Sequence, residues 1–156
     1  GAPSGVARFQ FPIAPPEEYD LRIVVERKSG VNDFYVGLVG GGVPFGLLLE
    51  GWNSTTSGLE WIDGRRADRN ETTFRTPILP RDRVVTLVCA VRKTRVTLTA
   101  DGQKRIDWAA DWRKLRQDAE WNVPQKDALF LGAYESAFVI HQVTLTPVTG
   151  RPRRLK

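Results

Sequence analysis

The chain has 156 residues, 41% of them hydrophobic and 26% charged, the balance of one globular domain. At that length roughly 70% of the unfolded surface can be buried, so a core needs no disulfide or metal staple, and no apolar run reaches the ~20 residues of a membrane-spanning helix. The net charge is +5, but four of the 23 basic residues lie in Arg151–Lys156, leaving 19 basic against 18 acidic residues in the first 150. That near-neutral body is unlike a nucleic-acid binder, so neither nucleic acid nor membrane is an expected partner.

Helical periodicity is scarce, and strand-like runs recur at roughly 10- to 15-residue spacing between Gly, Pro, Asn and Asp clusters. The runs predict strands over 6–13, 19–27, 33–39, 44–52, 58–63, 71–76, 83–92, 95–100, 103–108, 128–133 and 137–146. Tyr19, Leu21, Ile23 and Val25 alternate with Asp20, Arg22, Val24 and Glu26, so one face meets a core and the other is largely wet. Gly40-Gly41-Gly42 reads as a hairpin turn, because no GxxxxGK[ST] pattern or helical period follows it. From Val84 to Trp108 three short strands follow one another, and Asp101-Gly102 supplies the positive φ that a two-residue hairpin needs. Cys89, the one cysteine, shares the apolar parity of Leu87 and Val91, which predicts a buried thiol. Asp111–Ala119 is the one helical candidate, with Asp111 as cap and Trp112 and Leu115 pinning a face. It lies in the long connection from Trp108 to Ala128, the kind of insertion on which function is often carried.

The expected fold class is therefore all-β: a two-sheet antiparallel β-sandwich with one short helix in a loop. Residues 1–150 form a single domain and 151–156 a basic tail or linker. The chain has no methionine, and reads as a segment processed or excised from a longer protein.

Catalytic signals are weak. His141, the only histidine, lies in a predicted strand, and no G-x-S-x-G elbow accompanies it. One His and one Cys make zinc improbable. Asp63, Asp68, Asn70 and Glu71 offer oxygens for calcium, but Arg65, Arg66 and Arg69 in the same stretch oppose a divalent cation. Two N-x-[ST] sequons, at Asn53 and Asn70, read as chance matches without a secretory origin.

The five tryptophans carry the clearest positive signal. Sugar rings present apolar C–H faces that stack on aromatic planes, and their hydroxyls seek placed polar groups. If Leu47 and Leu49 face the core, Glu50 and Trp52 face outward beside Asn53. Trp112 and Trp121 sit in the long insertion, and Tyr134 lies at the turn that follows it. Trp61 and Trp108 share parity with Leu59 and Ile106 and are expected in the core. For Trp52, Trp112 and Trp121, packing and ligand contact both remain open.

Three segments carry a resemblance: Y-D-L-R-I-V-V-E-R at 19–27, R-V-T-L-T-A-D-G-Q at 95–103, and A-L-F-L-G-A-Y-E-S-A-F-V-I-H-Q-V-T-L-T-P at 128–147. The chain resembles, over roughly residues 6–149, the concanavalin A-like lectin/glucanase superfamily, specifically laminin-G-like jelly-roll modules of bacterial multidomain proteins. The superfamily's glucanases carry E-x-D-x-E on one strand. Here Glu60 and Asp63 are three apart and the third acid is missing, so no enzyme is expected. The resemblance then implies glycan or protein binding without a cofactor, with calcium the one metal left open. The expected function is a non-catalytic carbohydrate-binding accessory module of a larger extracellular or cell-envelope protein. Trp52, Trp112, Trp121 and Tyr134 are its stacking residues, and Glu50 and Asn53 bond hydroxyls. The alternatives are a protein-interaction domain without a small ligand and, less favoured, a glycoside hydrolase.

Overall fold

The computed structural model describes residues 5–156. Its strands, in chain order, are β1 (Val6–Gln10), β2 (Ile13–Ala14), β3 (Glu18–Ser29), β4 (Phe34–Gly40), β5 (Val43–Glu50) and β6 (Thr56–Glu60). They continue with β7 (Val84–Val91), β8 (Arg95–Ala100), β9 (Gln103–Ala109), β10 (Phe130–Tyr134), β11 (Ala137–Thr149) and β12 (Arg153–Arg154). Two five-stranded antiparallel sheets, ordered β1-β10-β4-β5-β6 and β11-β3-β7-β8-β9, stack into a sandwich, which is the expected jelly-roll architecture. A small β12-β2 pair ties Arg153–Arg154 to Ile13–Ala14, so this part of the basic segment is seated on the domain.

The second sheet behaves as alternation dictates. Tyr19, Leu21, Ile23 and Val25 of β3 are buried against Val85, Leu87, Cys89 and Val91 of β7, while Arg22 and its neighbours face water. Cys89 is buried, and that burial pushes its thiol up to about 12.

The first sheet is covered on both faces. Phe34, Val36, Leu38, Phe45, Leu47 and Leu49 meet the second sheet. On the other face Tyr35, Leu48 and Phe130 form a separate apolar cluster with Ala67 and Trp121, which descend from the loops after β6 and β9. Gly37, Gly46 and Gly132 make room for it: a Cβ on each would strike the rings of Phe130, Tyr35 and Trp121 at 2.0, 2.0 and 2.4 Å. The Tyr35 and Trp121 rings stack face to face, 4.5 Å apart and 5° from parallel.

Several expectations are corrected. No α-helix forms over Asp111–Ala119; the segment holds a 3-10 turn at Trp112–Lys114, and a second, Ala119–Trp121, begins at its last residue. Asp111 does cap the first, accepting from the Arg113 N–H at 3.2 Å, but Leu115 then extends and bridges to Ile62, which stops the coil. Residues 71–76 make only a bridge from Phe74 to Ser57, because Asn70 folds this stretch into turns by spanning the Leu59 and Arg66 carbonyls at 2.8 and 2.9 Å. Trp108 is in the core as expected, whereas Trp61 is only half-buried, flanked by the guanidinium groups of Arg66 and Arg116.

Candidate functional site

A concavity lies where the start of β4, the end of β5 and the edge pair β1-β10 meet the two covering loops. It is an open cleft of about 760 Å³. Its walls bring together Trp52 and Asn53 from the turn after β5, Tyr134 and Glu135 from the end of β10, and Asn32 and Asp33 from the loop before β4. Arg8, Arg66, Glu120 and the edge of Trp121 complete it.

The turn that presents Trp52 is unusual. Glu50, Trp52, Asn53 and Ser54 all have left-handed backbones, with φ between 49° and 63°, a conformation that bulky residues adopt only when their surroundings impose it. Those surroundings are visible. Asn53 N–H donates to Asn32 Oδ1 at 3.2 Å, the Ser54 hydroxyl donates to the Val31 carbonyl at 2.7 Å, and Thr55 N–H closes the turn onto the Gly51 carbonyl at 3.0 Å. The result holds the Trp52 ring 41% exposed, with Tyr134 at 37% as a second accessible aromatic wall.

Trp52 is also held from its far side. The Arg66 guanidinium carbon lies 5.0 Å from the Trp52 ring centre and 5.5 Å from that of Trp61, and Arg116 lies 4.5 Å from the Trp61 ring. Two indoles and two guanidinium groups thus form a ladder along the rim, a cation–π arrangement that desolvation strengthens. Arg66 is fixed within it by Glu60, which accepts from Nε and Nη2 at 3.1 and 2.8 Å and raises the arginine's pKa. The second Glu60 oxygen accepts the Ala67 N–H at 2.7 Å. Trp61 donates its indole N–H to Asp118 at 2.8 Å, joining the two covering loops.

Of the six residues named from sequence, four line the cleft: Trp52, Asn53, Trp121 and Tyr134. Trp121 is only 3% exposed, so it forms floor and not platform. Glu50 does not face outward. Its positive φ breaks the strand alternation and turns its carboxylate inside, where it accepts the Leu79 and Ile78 N–H groups at 3.1 and 3.4 Å and stands 3.9 Å from Arg27. Trp112 lies at the other end of β4, seven residues or roughly 20 Å away, packed on Gly40 and Gly41 with its indole N–H on the Lys93 carbonyl.

Asp33 is the cleft residue that sequence reasoning missed, together with Arg8, Asn32, Arg66, Glu120 and Glu135. Its half-buried carboxyl is pushed up to about 7, chiefly by burial, with the Glu60 and Glu120 charges adding and Arg66 opposing. Of the residues considered for calcium, Glu71 accepts the Trp108 indole N–H at 2.9 Å, Asp68 stands 3.7 Å from Arg69, and the Asn70 side chain holds turns. Among the described residues no group of three or more acids, histidines or cysteines is placed to hold a metal. Glu60 and Asp63 diverge, one sealed beneath a loop and the other on an exposed turn.

No protein-family profile matches the chain, and no curated protein matches it in sequence. Solved structures do match its fold. Caenorhabditis elegans galectin LEC-6 superposes with a TM-score of 0.59 at 11% identity, covering 93% of both chains. Carbohydrate binding module CBM66 from Bacillus subtilis gives 0.56 at 13% identity, covering 94% of this chain and 84% of that one. The exoplasmic/lumenal domain of VIP36, in a form bound to Ca2+ and Man3GlcNAc, gives 0.66 at 8% identity, covering 97% and 77%. At these identities the likeness is one of fold. The chain has the jelly-roll β-sandwich that these structures share.

Proposed function

We propose that this chain is a non-catalytic carbohydrate-binding module, in which a sugar ring stacks on Trp52 and Tyr134 while Asn53 and neighbouring polar groups bond its hydroxyls. The observation that carries this reading is convergence: two exposed aromatic side chains from distant parts of the chain meet a ring of placed polar groups in one open cleft. Such a mixture of flat apolar wall and fixed donors and acceptors suits a ligand with apolar faces and a hydroxylated rim. The solved neighbours of this fold, a galectin, a carbohydrate binding module and a Ca2+/Man3GlcNAc-bound lumenal domain, support the same class of ligand. In this reading the module serves as an accessory domain of a larger extracellular or cell-envelope protein, and it binds sugar without a resident metal.

A glycan array tests the reading, with Trp52→Ala and Tyr134→Ala beside the parent chain and near-UV circular dichroism to confirm folding. A specific hit weakened at least about tenfold by either substitution supports it. Silence across the array sinks it. One observation would then favour a protein ligand: Phe9 on edge strand β1 is 63% exposed and borders a 350 Å³ apolar groove shared with Phe138 and Ile140.

A further inference from the structure

We infer that the Asp33 carboxylate is the acceptor that fixes the saccharide's hydroxyls in this cleft, and that its protonation releases the ligand. This rests on the saccharide reading above and adds to it a specificity residue and a condition for binding.

The backbone that carries Asp33 is clamped on several sides. Its carbonyl accepts the Tyr134 N–H at 3.0 Å. The adjacent Asn32 donates its N–H to Ser136 Oγ at 2.9 Å, accepts Arg27 Nη1 on its carbonyl at 3.0 Å, and accepts the Asn53 N–H on its side chain. The carboxyl thus lines the cleft from a fixed support, half-buried, and among the described residues the one donor that faces it is its own backbone N–H.

The charged and titratable groups around it come from every neighbouring element: Arg8 on β1, Arg27 on β3, Glu60 on β6, Arg66 and Glu120 on the covering loops, and Tyr134 and Glu135 at the end of β10. The cations among them are engaged. Arg66 is held by Glu60, Arg8 donates to the Glu120 carbonyl at 2.6 Å, and Arg27 donates to backbone carbonyls. Among the described residues Asp33 is left as a half-buried acceptor without a dedicated counterion, and burial pushes its carboxyl up to about 7.

A neutral sugar brings hydroxyl donors. An ionised carboxylate accepts from two adjacent hydroxyls in charge-assisted bonds, whereas the protonated acid spends one oxygen as a donor. Binding through the ionised form alone makes the apparent Kd inversely proportional to its share. That share falls from about nine-tenths at pH 8 to about one-tenth at pH 6, so affinity drops about tenfold. By linkage, ligand binding at pH 7 expels about half a proton per molecule of protein.

The experiment is calorimetric titration of the whole chain and of Asp33→Asn with trisaccharides of glucose, galactose, mannose and fructose at pH 6, 7 and 8. Repeats at pH 7 in two buffers of different ionisation enthalpy count protons released, a measurement that needs only the parent chain. The expected result is a roughly tenfold loss from pH 8 to pH 6, proton release at pH 7, and flat, weak binding in the variant. Binding that is level from pH 6 to 8 without proton release, or that keeps its pH dependence in Asp33→Asn, overturns the inference and leaves the saccharide reading standing. No binding of any trisaccharide at any pH overturns both.

Discussion

Arg27→Met tests whether the cleft is held from beneath by a buried charge. Arg27 is 3% exposed, yet its guanidinium reaches four partners: the Leu79 carbonyl at 2.9 Å, the Asn32 carbonyl at 3.0 Å, and the Gly30 carbonyl and Ser136 Oγ at 3.2 Å. Its second terminal nitrogen makes no hydrogen bond and faces Glu50, 2% exposed, at 3.9 Å. Burial lowers the arginine's pKa and raises the glutamate's, the mark of two charges held out of water and only partly repaid by each other. Removing Arg27 strands Glu50 without a counterion and frees the carbonyls of the Gly30–Asp33 loop. The expected loss is about 3–5 kcal/mol, little of it from volume, because methionine fills most of the vacated space. Adding Glu50→Gln should return about 1–3 kcal/mol of that loss. Urea unfolding of the two single variants and the double at pH 7 measures the cycle. A loss under about 1 kcal/mol for Arg27→Met, or a strictly additive double variant, would refute the anchor and with it the account of how Asn32 and Asp33 are aimed.

Two further outcomes follow from the same geometry. Gly46→Ala places a Cβ 1.6 Å from the Tyr35 hydroxyl, and Tyr35 is trapped beneath Trp121, so the melting temperature should fall by the equivalent of at least about 1–3 kcal/mol; an unchanged melt would mean the aromatic slab is loose. Asp33 has a folded pKa raised from 3.8 to about 7, so its contribution to stability is full below pH 4 and is lost as pH rises through 7. Asp33→Asn should therefore match the parent near pH 4 and exceed it at pH 8, by at most about 4 kcal/mol and by less where solvent enters the cleft. Thermal melts from pH 4 to pH 8 check this, and a gap that does not widen with pH would contradict the burial argument.

The second sheet was legible because its central strands β3, β7 and β8 each bury one face, and the alternation from Tyr19 to Val25 says so in the sequence alone. The first sheet was less so. Phe34–Gly40 and Val43–Glu50 are buried on both faces, and what covers the outer one comes from loops with no periodicity to read. The same loops explain the misread segments: 71–76 looked like a strand from its composition, and 111–119 like a helix from its cap, until Asn70 caught the Leu59 and Arg66 carbonyls and Leu115 bridged to the distant Ile62. The parity argument for Glu50 failed at the residue where the backbone itself changes hand.

The sequence by itself determined the sandwich, because strand alternation and turn chemistry such as Asp101-Gly102 act over a few residues and need no knowledge of neighbours. It also named Trp52, Asn53, Trp121 and Tyr134 by residue type. Only the tertiary structure decided that these four share a cleft while Trp112 does not, since positions 82 residues apart meet only after β10 pairs with β4. Asp33 was out of reach for a deeper reason. A lone Asp before a strand looks like ordinary turn chemistry. What sets it apart is desolvation, together with the charges of Glu60 and Glu120, and neither exists until the loops close over the sheet.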